Sequence, residues 1–126
     1  MTPVRPKPAS SVLLVRPGSQ SPAEVYMIRR QKSMRFLGGF YAFPGGKVDP
    51  EDGAPEILAR CRGITAAQAE RLLPSEDGLP ALAFWVAAAR ELLEETGVLP
   101  ACDSVGRSVA LADATAASRI EVLRAA

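Results

Sequence analysis

Residues 81–97, ALAFWVAAARELLEETG, constrain this chain more than any other stretch. Leu82, Trp85, Val86, Ala89 and Leu93 recur every three or four positions, the period of a helix that buries one side. Gly97 stands where a C-terminal glycine cap belongs. At about 100° per residue, Glu91, Glu94 and Glu95 share another arc, opposite Trp85, Val86, Ala89 and Leu93. Stability alone would not gather them there. Like charges three or four apart repel by roughly 0.2–0.5 kcal/mol per pair. Acids in the last turn also oppose the helix dipole, at about 0.3–1 kcal/mol each. A divalent cation reverses both penalties, and hard carboxylate oxygens suit magnesium or manganese. Spacing by itself leaves a solvated acidic face and a metal site both open. Arg90 is open in the same way: a surface arginine offsetting the acids, or a guanidinium orienting a carboxylate in a bidentate pair.

The chain has 126 residues, room for one domain. Its 48% apolar and 23% charged residues are those of an ordinary globular protein. Apolar runs such as 12–15 and 81–89 fall short of the roughly 20 residues that cross a bilayer. The opening MTPVRPKPAS is proline-rich with no long apolar stretch behind it, so no secretory signal is expected. A formal net charge of +1 supplies no global field to recruit nucleic acid or membrane, and neither is expected as a partner. There is no histidine, which excludes a Cys/His zinc site and any mechanism with a catalytic histidine. Cys61 and Cys102 read as reduced thiols of a cytoplasmic protein. Chemistry is left to carboxylates, arginines, lysines, hydroxyls and backbone groups.

Residues 9–15 (ASSVLLV) predict a buried strand and residues 24–30 (EVYMIRR) a second, joined through a Pro/Gly/Ser-rich turn at 17–22. A basic cluster follows: Arg29, Arg30, Lys32 and Arg35. In residues 38–46, GGFYAFPGG, glycine pairs bracket a short strand at 41–43 that opens into a sharp loop. Residues 47–80 read as loop and short helices, with Thr65 and Gln68 forming a capping box and Pro74 ending that helix. A further helix is expected over residues 112–126. Strands followed by a helix that crosses back over them make an α/β domain.

Residues 90–98, RELLEETGV, taken with residues 43–52, FPGGKVDPED, resemble the Nudix box, G-x5-E-x7-R-E-U-x-E-E-x-G-U with U a bulky aliphatic. Arg90, Glu91, Leu92, Glu94, Glu95, Gly97 and Val98 match every fixed position of its second half. The box is split, because residues 52–89 separate Glu51 from Arg90 where the usual pattern has seven. An insertion at about 53–80 is similar to one in a branch that includes peroxisomal coenzyme A diphosphatases. Such a surface insertion adds little closure entropy. Gly45 followed by five residues reaches Glu51, and Gly46 followed by five reaches Asp52; the resemblance to coenzyme A-cleaving relatives favours Asp52 as partner of Arg90. Upstream, Arg30-x4-Arg35-x3-Gly39-x3-FPGG resembles the coenzyme A motif of such enzymes, although Gln31 and Tyr26-Met27-Ile28 depart from it. A solvated basic loop is the alternative reading for Arg30, Lys32 and Arg35.

The resemblance implies a Nudix α/β/α sandwich with a mixed sheet, the box helix packing on it through Trp85, Val86 and Leu93. It implies hydrolysis of a pyrophosphate linkage in a nucleoside diphosphate derivative, coenzyme A or an acyl-coenzyme A first. Glu91, Glu94 and Glu95, with Gly46, would hold Mg2+ or Mn2+. Arg90 would orient the acids together with Asp52, Glu51 being the alternative acid. Arg30, Arg35, Gly39 and Gly45 would meet the substrate. Nucleotide sugars, dinucleotides or noncanonical nucleotides are alternative substrates, and a catalytically silent binding module is the alternative of another class. A homodimer is compatible with the reading. Family domains continue further past the box, where this chain offers only Asp103, Asp113 and Glu121 as acids. The C-terminal part of the single domain, residues 1–126, is therefore expected to be missing.

Overall fold

The computed structural model describes residues 5–33, 38–74 and 78–108. The helix expected over residues 112–126, together with Arg35, Asp113 and Glu121, lies outside the described residues.

The first predicted strand is one extended run that changes partner midway. Its first part, β1 (Ala9–Ser11), pairs antiparallel with the segment after the glycine loop, as Ala9 opposite Lys47 and Ser11 opposite Gly45. Its second part, β2 (Val15–Arg16), pairs with β3 (Glu24–Val25) across the expected turn. Backbone bonds from Val12 to Pro44 (2.8 Å) and from Tyr26 to Leu14 (3.0 Å) mark the handover. The run expected at 24–30 divides likewise: after β3, β4 (Ile28–Arg29) pairs with β5 (Tyr41–Ala42). The remaining strand, β6 (Gly45–Lys47), is the partner of β1. All three pairings among the described residues are antiparallel.

A 3-10 turn (Pro50–Gly53) leads into the insertion, which forms α1 (Pro55–Leu58) and α2 (Ala66–Leu72). Thr65 and Gln68 form the capping box that the sequence predicts, with the Gln68 amide donating to the Thr65 hydroxyl at 3.2 Å. The long helix, α3 (Ala81–Thr96), ends at Gly97, whose left-handed φ of 76° closes the last turn and returns its N–H to Leu93. Pro80 at the start of α3 offers no side-chain cap. Glu70 on α2 supplies one instead, accepting from the Ala81 N–H at 3.1 Å.

The face that α3 turns to the sheet is only partly the expected one: Trp85 joins it and Leu93 is buried, but Ala83, Phe84 and Ala87 form most of it. Val48, just past β6, packs against Ala83, Phe84 and Ala87, while the Ser10 hydroxyl donates to the Phe84 carbonyl at 2.8 Å. Leu82, with Trp85 beside it, packs instead on the insertion, against Ala69, Ala81, Leu58, Cys61 and Ile64. Val86 and Ala89 line a cavity on that same side. Trp85 touches both clusters and so remains partly in the sheet contact. The apolar stripe is thus divided: Leu82 is covered by the insertion, Trp85 is shared, and Val86 and Ala89 border the cavity. Alanine lets the backbone of α3 approach the sheet closely while contributing little to a hydrophobic pattern. Leu92 and Pro44 are the largest fully enclosed side chains.

Candidate metal and phosphate site

Ala83, Ala87 and Glu91 lie four residues apart and so form one row along α3. The row that buries the two alanines against Val48 delivers Glu91 onto β6. A side chain at Gly46 would run into the Glu91 carboxylate, and one at Gly45 would run into the Ser10 carbonyl. Only glycine leaves that space at both positions. Glu95, one turn further on, accepts a hydrogen bond from the Gly45 N–H at 2.9 Å. Glu91 and Glu95 are thus set against the glycine pair, while Glu94 stays exposed.

Arg90 is the centre of the polar network. Its Nε and Nη2 each donate to Asp52, both at 2.9 Å, which is the bidentate fork that matches a carboxylate. Nη2 also donates to the Lys47 carbonyl at 2.9 Å. Nη1 donates to Glu91 at 2.9 Å and, more loosely, to both oxygens of Glu94 at 3.4 Å. Asp49 adds a fourth carboxylate at 3.6 Å from Nη2. The hydrogen bonds that Arg90 donates to Asp52, against the opposing effect of burial, and then to Glu91 hold the guanidinium well above its ordinary pKa. It stays charged at every working pH.

Exposure grades across these acids. The side chains of Asp52 and Glu91 are 4% and 16% exposed, whereas Glu94 is 49% exposed. Asp52 is held from behind, its second oxygen accepting from the Asp49 N–H at 2.9 Å. Glu51 sits exposed on the same 3-10 turn and is not among the partners of Arg90. Sequence reading missed Asp49 and the Lys47 carbonyl. Asp49 carried a signal, an acid three residues ahead of another at the start of a turn. A backbone carbonyl carries none.

One arginine serves four carboxylates here, with Glu95 alongside, so negative charge is in excess. Hard oxygen donors with that excess fit a magnesium- or manganese-like cation. Among the described residues, however, no three acidic or thiol side chains already converge as a metal-ligand group. Arg90 takes up Glu91 and reaches Glu94, and Gly45 takes up Glu95.

The residues expected to meet substrate are only partly brought to this centre. Gly45 is in it. Arg30 and Gly39 lie on the neighbouring strand pair, where Arg30 donates its N–H to the Phe40 carbonyl (2.9 Å) and Gly39 donates to the Arg30 carbonyl (3.1 Å). The Arg30 Nε is enclosed without a hydrogen-bond partner. Arg35 lies outside the described residues.

These strands, the helix that covers them and the glycine loop at its acidic end match the Nudix hydrolase fold, although the strand pairings among the described residues are all antiparallel rather than those of the expected mixed sheet. The solved structure of a Nudix hydrolase from Alicyclobacillus acidocaldarius is similar, with 37% sequence identity and a TM-score of 0.61. The match covers 82% of this chain and 42% of that one, and it supports the Nudix hydrolase family. No protein-family profile matches the sequence. No curated protein matches it either.

Proposed function

We propose that the chain is a Nudix hydrolase that cleaves the pyrophosphate linkage of a nucleoside diphosphate derivative, coenzyme A or an acyl-coenzyme A first. The observation that carries this reading is the excess of carboxylates around Arg90, set directly against Gly45 and Gly46. Glu91, Glu94 and Glu95, with backbone of Gly46, would hold magnesium or manganese. Such an ion neutralises the pyrophosphate and lowers the pKa of a bound water. Arg90, fixed by Asp52, positions Glu91 and Glu94. The bare backbone at Gly45 and Gly46 lets a phosphate approach closely. Arg30, Gly39 and Arg35 are the proposed contacts for the rest of the substrate, in keeping with the split box and the upstream motif. Residues 53–80 are the insertion within that box and residues 1–126 belong to one domain. The reading includes a cytoplasmic location and leaves a homodimer open. Among the described residues no helix is long and apolar enough to cross a membrane.

The test is a panel of diphosphate substrates with magnesium, products identified by mass. Phosphopantetheine and 3′,5′-ADP should appear from coenzyme A and fall at least about 100-fold in Glu94→Gln. Turnover of a nucleotide sugar or dinucleotide that survives Arg35→Ala would redirect the substrate assignment. One observation favours a second reading, a silent binding module: Arg90 already occupies Glu91 and Glu94. Ligand binding in calorimetry with no product from any substrate would select it.

A further inference from the structure

A cavity of about 430 Å³ lies between the insertion and the segment that leaves α3, on the side of the helix away from the carboxylates. Ile64, Leu82, Trp85 and Val86 give it an apolar lining, and the chain's two cysteines, Cys61 and Cys102, both border it. Both thiols are free, Cys61 half-buried and Cys102 exposed. They come from separate parts of the chain. Cys61 follows α1, and its thiol donates to the Ile57 carbonyl at 3.7 Å. Cys102 pairs with Ser108 in an isolated bridge, next to the turn that Asp103 and Arg107 close with a 2.8 Å ion pair. Neither lies inside a helix, which leaves each backbone freer to move toward the separation of about 7 Å or less between Cα atoms that a disulfide requires.

We propose that Cys61 and Cys102 are a redox pair that joins the insertion to the exit of α3. The exposed Cys102 thiolate attacks one sulfur of a small-molecule disulfide and releases one thiol. The Cys61 thiolate then attacks the Cys102 sulfur of that mixed disulfide, forming the Cys61–Cys102 bond and releasing the second thiol. The two protons given up by the cysteines end on the two released thiols, and the small disulfide is the species reduced. The closed loop contains α2 and all of α3, so the bond would anchor the acidic helix from both of its ends.

The full chain, folded and free of denaturant, is incubated in glutathione buffers of graded oxidation, quenched with an alkylating agent and weighed. The pair predicts a monomer that has lost two hydrogens and a peptide joining Cys61 to Cys102. It also predicts a melting temperature about 10 °C above that of the reduced chain. Cys61→Ser should stop at a glutathione adduct on Cys102 under the same conditions. Glutathione adducts on both cysteines of the unaltered chain, a disulfide between two chains, or a bond that forms only in denaturant would each overturn the proposal.

Discussion

Between Ala81 and Ala87 the box helix is held mainly by apolar contact, with Val48 on one side and Ala69 and Leu58 on the other. From Arg90 onward it is held largely by charge and hydrogen bonds, to Asp52, the Lys47 carbonyl and the Gly45 N–H. The first kind of contact is graded by volume and area, and neighbouring side chains can adjust. The second depends on particular atoms at particular distances, and a lost partner leaves a charge in a half-buried place. The end proposed to carry the chemistry is built from the less forgiving kind.

Removing Asp52 should break that contrast most severely. Asp52→Ala should destabilise the fold by about 3 kcal/mol in denaturant unfolding, the lower end for a broken buried pair because Arg90 keeps Glu91. A loss below about 1 kcal/mol would mean that the pair behaves as an ordinary surface contact. Ala87→Leu probes the packed half and should cost about 2 kcal/mol through overpacking against Val48. If its cost matches or exceeds that of Asp52→Ala, the division between the two halves fails. The smallest effect should come from Glu70→Ala, about 1 kcal/mol, since it removes the borrowed cap at Ala81 while leaving the packing of Ala69 in place. A melting curve unchanged by that substitution would show that solvent serves the N-terminus of α3 equally well.

Local features were legible in the sequence. The extent of α3, its Gly97 cap and the capping box at Thr65 each depend on residues within a turn or two of one another. Glycine spacing left Glu51 and Asp52 equally open as partner of Arg90; the resemblance to coenzyme A-cleaving relatives favoured Asp52, to which Arg90 donates. Orientation was harder. Trp85, Val86 and Leu93 looked like the sheet contact, but Trp85 is shared with the insertion and Val86 lines a cavity on that side. Ala83 and Ala87 face the sheet without advertising it, since alanine is as common on exposed helix surface as in a close contact. Nor does a pattern of alternation tell where a strand will exchange one neighbour for another, as happens between Val12 and Leu14. The cation partners Asp49 and Lys47 depend on how the 3-10 turn folds back beneath Arg90.

The reach of Arg90 Nη1 across Glu91 and Glu94 has a thermodynamic consequence. Those oxygens already face an internal occupant tethered to the same helix, close at Glu91 and looser at Glu94. Any incoming cation that claims both must compete with it, so a titration would report the difference between two affinities rather than one. Weak apparent binding and good intrinsic coordination can then coexist in the same few cubic ångströms.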